Sequence, residues 1–122
     1  MTVNNMEGKV MTLKRFATEY GMGVDLRGQD YTKAAVRAVK DALHRNSLTV
    51  AAAVGKDPSE MIIRCTIGVA KPDAVDVEKV VQVFPYGDVT VIAESGGLDH
   101  GKVDTGGVTT IAVAAVQVWL DI

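Results

Sequence analysis

Apolar residues recur along this chain with two different periods, and each period predicts one kind of element. Between Asp30 and Arg45 they fall at the helical spacing i, i+3, i+4, i+7. We predict an amphipathic helix here, capped by Asp30, because a carboxylate at this position accepts amide hydrogens of the first turn. The stripe expected to be buried is mostly alanine, so the helix can pack closely against a sheet.

Alternating apolar and polar residues predict strands at about 10–20, 61–70 and 89–94, and a nearly continuous apolar run predicts another at 108–122. A second, short helix is predicted from Asp76, because the apolar residues after it follow the helical period. The resulting order, β-α-β-α-β-β, predicts an α/β (α+β) fold in which both helices cover the same face of one sheet.

The final strand, IAVAAVQVWL, has almost no polar residue and therefore predicts a strand that is covered on both faces. The two helices can cover only one face of the sheet. We expect a second subunit to cover the other, in a homo-oligomer with helices outside and sheets facing inward.

Length and composition limit the remaining possibilities. A chain of 122 residues predicts a single domain over 1–122, with residues 1–8 expected to be disordered. The formal net charge of −2, with lysine and arginine dispersed, argues against nucleic acid as a partner. The single cysteine, Cys65, excludes an internal disulfide and favours a cytoplasmic protein, and we expect it to be a small core side chain. No apolar stretch is long enough to predict membrane insertion.

A glycine-spaced segment, GMGVDLRG at 21–28, joins the first strand to the long helix. It is not a dinucleotide fingerprint, since Leu26 stands where the third glycine is needed. The glycines predict either a tight bend or the close approach of another group, with Asp25 and Arg27 presented between them. These two residues either face a ligand or only satisfy the hydrogen bonds of a strand-to-helix connection.

The run GMGVDLRGQD resembles the G-x-G-x-D-x-H-G signature of a small family of conserved hypothetical proteins. Arg27 takes the place of the histidine in that signature. The likeness extends over most of the chain and includes the segments 84–87 (FPYG) and 96–98 (GGL). Because the function of that family is uncharacterised, the resemblance implies no specific chemistry.

Two predicted strands end in residues that could act together, Lys71 after the second and Ser95 after the third. Ligands of sheet-based α/β proteins commonly bind beyond the carboxyl ends of strands. A lysine of lowered pKa can take the proton of a serine nucleophile, and the amides of Gly96 and Gly97 could hold an oxyanion. Equally, a Ser-Gly-Gly sequence can be no more than a flexible turn and Lys71 a solvated side chain.

The segments IGVAKPD and VIAESGG resemble the lysine and serine regions of one repeat of the cyanuric acid amidohydrolase and barbiturase family. In that family three similar domains surround one site. The resemblance implies a homotrimer that opens a cyclic amide or imide by hydrolysis, with Ser95 as nucleophile and Lys71 as base. Arg27 or Arg64 could orient the ring carbonyls, and the turn at 25–28 could close the pocket.

The alternative is a homotrimer of the same shape that binds a small molecule without catalysis. No cofactor is expected for either function. Asp99, His100 and Asp104 could ligate a divalent ion together with Asp25, but two histidines in the chain and no paired cysteines argue against zinc. We therefore predict no metal site.

Overall fold

One mixed sheet carries helices on one of its faces. The computed structural model describes residues 1–4, 7–44, 47–101 and 106–122, with the backbone alone for Ser47. None of the helices in these ranges is long and apolar enough to cross a membrane. The strands of the described residues are β1 (Thr2–Asn4), β2 (Val10–Asp25), β3 (Ile62–Val69), β4 (Asp88–Ser95), β5 (Leu98–Gly101) and β6 (Val108–Asp121), and the α-helices are α1 (Tyr31–Leu43), α2 (Val50–Ala53) and α3 (Val77–Val81).

The strands lie in the order β1-β2-β6-β3-β4, and β5 pairs with the part of β6 that extends beyond β3. β3 and β4 are parallel, whereas β6 runs antiparallel to both β2 and β3. The predicted order of strands and helices is confirmed, with β1, α2 and β5 as additions. The α1 and α3 helices contact each other and share one hydrophobic core with the sheet, so both lie on the same face.

The first helix forms where the periodicity predicts it. The carboxylate of Asp30 accepts the amide hydrogen of Lys33 at 3.0 Å, which confirms the predicted cap. The helix ends at Leu43, and Arg45, the predicted end, lies outside the described residues. The side chains buried against the sheet are those of the predicted stripe, Tyr31, Ala34, Ala35, Ala38, Val39 and Ala42.

The glycines before this helix belong to β2, so the predicted bend after residue 20 is wrong and the strand continues to Asp25. A Cβ atom at Gly21 would lie 2.1 Å from the carbonyl oxygen of Ala38, and one at Gly23 would lie 2.2 Å from that of Ala34. The second reading of the glycines, close approach of another group, is therefore confirmed. The group is the backbone of α1, which contacts the strand where both elements lack bulky side chains.

The N-terminus is paired, in contrast to the expected disorder of residues 1–8. Thr2–Asn4 forms a short antiparallel ladder with β2. The terminal ammonium of Met1 donates to the carbonyl of Leu13 at 2.8 Å, and the amide of Leu13 donates to the carbonyl of Met1 at 2.6 Å. Backbone pairing explains the difference, since it needs no apolar pattern in the sequence.

The final strand is covered on one face only. Its even-numbered side chains from Ala112 to Leu120 are buried under the helices, whereas Val113 on the opposite face is 44% exposed. We call this uncovered side of the sheet the open face. Cys65 points to the covered side, where it is buried as predicted, and burial raises the pKa of its thiol to about 12.

We predict that Gly23→Ala destabilises the protein by about 3 kcal/mol or more, because the added methyl group would meet the backbone of α1 rather than a movable side chain. Chemical denaturation measures this change. Gly101→Ala is the matched control and should change stability little, since no atom of the described residues, apart from its chain neighbours, lies within 4 Å of the added carbon. Equal stabilities of the two variants would show that the helix does not lie against β2 as described.

Candidate functional site

Side chains of the open face are ordered in rows, because partner residues on neighbouring strands point to the same side of a sheet. Each row crosses the sheet from β2 through β6 and β3 to β4. Two central rows are largely apolar, and the row beside them is polar. The central rows are Tyr20–Ala115–Thr66–Ile92 and Met22–Val113–Gly68–Glu94, and the polar row is Thr18–Gln117–Arg64–Thr90.

A groove of about 580 Å³ follows the two central rows. Small residues form its floor at Ala115, Thr66 and Gly68, while Tyr20 and Met22 form the wall on the β2 side. A Cβ atom at Gly68 would lie 2.8 Å from the side chain of Val113, so a larger residue there would fill this space. The groove therefore exists because residues far apart in sequence are small where the strands place them side by side.

The β2 end of the groove is formed mainly by apolar side chains, with Asp41 of α1 beside them, and the β4 end is polar. Tyr20 and Met22 are 68% and 57% exposed at the β2 end. Glu94 and Ser95 line it on β4, and the hydroxyl of Thr66 lies in the row between these ends. A ligand in this groove would contact apolar surface over most of its length and have a carboxylate near each end, Asp41 and Glu94.

The structure places Lys71 and Ser95 at the same edge of the sheet. Their strands are parallel neighbours, and Val69 at the end of β3 is the register partner of Ser95. Ser95 lines the groove, whereas Lys71 lies outside the groove lining, just before the short helical turn Pro72–Ala74. Within the described part of the chain, no hydrogen bond joins the two side chains.

The two glycines after Ser95 have structural roles. The amide of Gly96 donates to the carbonyl of Val69 at 2.9 Å, so it is already used in holding β4 to β3. Gly97 has a φ of +62°, and a Cβ atom there would lie 2.2 Å from the carbonyl oxygen of Ile111. Of the two amides proposed to hold an oxyanion, that of Gly97 could do so without breaking the bond to β3.

Asp25 lies on the covered side of the sheet and organises the entry to α1. It is 5% exposed, and its Oδ2 accepts the amide hydrogen of Asp30 at 2.9 Å. Lys33 Nζ and Arg37 Nη1 lie 3.9 and 4.0 Å from its Oδ1. Gly28 is close as well, since a Cβ atom there would lie 3.0 Å from Oδ2. These contacts are those of a strand-to-helix connection, and they do not bring Asp25 to Ser95.

The two candidate arginines lie in different places. Arg27 is exposed between β2 and α1, next to Gly28, which forms an isolated bridge with Val108. Arg64 is exposed on the open face, in the row beside the groove, with its guanidinium 5.7 Å from the ring centroid of Trp119. Arg64 is therefore the arginine near the groove.

A polar cluster around Asp99 was missed by the sequence analysis. The hydroxyl of Tyr31 and the amide of Gln29 donate to its Oδ2, and Thr110 Oγ1 donates to its Oδ1 at 3.0 Å. The only sequence signal was a tyrosine at the start of a helix facing a glycine-rich segment. In the described ranges, no three carboxylate, histidine or cysteine side chains are grouped to hold a metal ion, and Asp104 lies outside them.

Comparisons with known proteins find relatives without an assigned activity. The model of a family described as conserved hypothetical protein (Lin0512_fam) matches residues 15–118. The chain is also similar to a crystal structure from Nostoc punctiforme, described as an FtsZ-like protein of unknown function, with a TM-score of 0.81 and 39% identity. That match covers 92% of this chain and 99% of the other. No curated protein matches the chain significantly.

We predict that Tyr31→Phe destabilises the protein by about 1–2 kcal/mol, because it leaves Asp99 and Gln29 without their shared hydroxyl partner. Thermal or chemical unfolding measures the change. Tyr86→Phe removes an exposed hydroxyl and should be neutral within about 0.5 kcal/mol. A neutral Tyr31→Phe would mean that the cluster does not anchor β5 to the start of α1.

Proposed function

We propose that this chain, which belongs to the family of conserved hypothetical proteins, binds a small organic molecule in the groove of the open face. The groove itself is the observation that carries the proposal. Its volume of about 580 Å³ is in the range of small-molecule sites, which combine apolar walls with a few polar groups.

The distribution of side chains favours a flat ligand with an apolar body and a hydrogen-bond donor at one end. The body would lie over Ala115 and Val113, beside Met22. The donor would reach the carboxylate of Glu94, which accepts hydrogen bonds but cannot donate when ionised. Cyclic imides, ureides and lactams supply the donor as a ring N–H, and those with alkyl or aryl substituents also supply the apolar body.

Ring-opening hydrolysis of such a ligand is the second candidate function, favoured by the shared strand edge of Lys71 and Ser95. Ser95 Oγ would attack a ring carbonyl carbon while Lys71 accepts its proton. Collapse of the tetrahedral intermediate would break the ring C–N bond, with the proton passing from Lys71 to the leaving nitrogen. Water would then hydrolyse the ester at Ser95. Lys71 must move towards Ser95 for this reaction, as no hydrogen bond joins them.

Both functions are proposed for a cytoplasmic homotrimer in which the open faces are turned inward. The support is the exposed apolar surface of the central rows, including Tyr20, Met22, Ile92 and Val113. A contiguous apolar surface of this kind is typical of an interaction site rather than of a solvated face.

Titration of the protein with a panel of cyclic imides, ureides and lactams tests the binding proposal. In two-dimensional NMR spectra, members that bind should shift the amide signals of Thr66, Gly68 and Ala115. Ala115→Leu should weaken their binding at least about tenfold, because the larger side chain occupies the groove. Ala53→Leu, on an exposed helical turn, is the matched control. Signal shifts confined to other parts of the chain would refute the groove as the site.

Turnover of the same panel tests the catalytic candidate. If a compound is hydrolysed, Ser95→Ala and Lys71→Met should each lower the rate by about a thousandfold or more, since nucleophile and base act as a unit. Lys40→Met on the exposed side of α1 should leave the rate unchanged. Full activity of Ser95→Ala would eliminate the Ser95 mechanism and leave ligand binding as the function.

A further inference from the structure

Two opposite charges stand on the open face without an ionic partner among the described residues. Glu94 ends one of the apolar central rows on β4. Arg64 lies in the polar row on β3, stacked over Trp119, with its Nη1 3.7 Å from the sulfur of Met1. The ion pairs of the described ranges involve Asp25 with Lys33 and Arg37, on the other side of the sheet.

Within one chain these two charges are too far apart to pair. The register partner of Arg64 on β4 is Thr90, four residues before Glu94. At a rise of about 3.3 Å per residue, the two positions are separated by about 13 Å along the strands. The row of Thr66 and Ile92 lies between them.

The surface around the pair has the properties of a docking site for a similar face. The row that separates the two charges is mostly apolar, and Tyr20 and Ile92 in it are 68% and 53% exposed. Glu94 is exposed at the edge of the groove, so an incoming side chain can reach its carboxylate. An arginine has the length, the charge and the flat head group that fit this position.

We propose that a second copy of this chain docks on the open face and pairs its Arg64 with Glu94. Arg64 and Glu94 of one face can each meet the opposite charge on an identical face, because each copy offers both residues. In a closed assembly every Arg64 pairs with the Glu94 of a neighbouring copy, so every groove contains an arginine from another copy. The exposed side chains of Tyr20 and Ile92 become buried in the same step, while the groove floor between them holds the ligand.

This inference rests on the proposed function and adds a residue to that site. The guanidinium of the second copy would lie beside Glu94 and Ser95 at the polar end of the groove. There it supplies hydrogen-bond donors for a ligand carbonyl, while Glu94 accepts from the ligand N–H. The side chains that one chain supplies as donors in the groove are the hydroxyls of Tyr20, Thr66 and Ser95, so the guanidinium adds a charged donor.

Charge-reversal variants and sedimentation velocity test the docking. Wild type should sediment as an oligomer. Arg64→Glu and Glu94→Arg should each raise the dissociation constant of this oligomer at least about tenfold. Combining both substitutions in one chain should restore assembly. The only tryptophan, Trp119, lies beneath Arg64, so its emission should change with dilution in wild type and in the double variant, and at higher protein concentration in either single variant.

Lys40→Glu combined with Glu78→Arg makes matched charge reversals on exposed positions of α1 and α3 and should leave assembly intact. A monomeric wild type, or single reversals that assemble normally, would overturn the docking. So would a double variant that remains dissociated.

Ligand titration of the same variants separates this inference from the proposed function. If Arg64→Glu weakens ligand binding together with assembly, the shared groove is supported. If a dissociated Arg64→Glu chain binds ligand as tightly as wild type, the shared groove is refuted and the binding function stands. If the reversals behave as expected but no panel member binds wild type, the proposed function fails and the docking stands.

Discussion

Direct contact between the backbone of α1 and that of β2 is the constraint on which this structure depends. Gly21 and Gly23 lie against the carbonyl oxygens of Ala38 and Ala34, at distances that leave no room for a Cβ atom. The contact fixes where β2 ends and where α1 begins, and Asp25 then satisfies the amide of Asp30 at the junction. The covered side of the sheet is thereby filled by helix, and the groove lies on the other side.

The sequence predicted the elements whose signals are local. The α1 helix has a capping aspartate and an alanine stripe of full length, and its start and buried face agree with the structure. Gly21 and Gly23 were ambiguous, because the same residue suits a bend and a close contact, and only the position of the helix decides between them. The four-residue strand β5 has no apolar alternation, and its pairing with β6 depends on tertiary contacts.

The candidate site was likewise predictable only where the sequence carries a local signal. The shared edge of Lys71 and Ser95 followed from reading two neighbouring strands correctly, and the register of Val69 with Ser95 supports it. The groove was not predictable, because its floor combines Thr66, Gly68 and Ala115 through pairings that no local pattern encodes. The aspartate of the glycine-spaced segment could face a ligand or serve the strand-to-helix connection, and its contacts are those of the connection.

The central claim is that the open face is the functional side of this protein and is covered by ligand or by another copy. The relative modification rate of two tyrosines by hydroxyl-radical or iodine labelling tests it most directly. In the single chain Tyr20 on the open face is 68% exposed and Tyr86, in the turn before β4, is 40% exposed. The account predicts that Tyr20 is modified more slowly than Tyr86 at micromolar protein concentration. Faster modification of Tyr20, in the order of single-chain exposure, would contradict it.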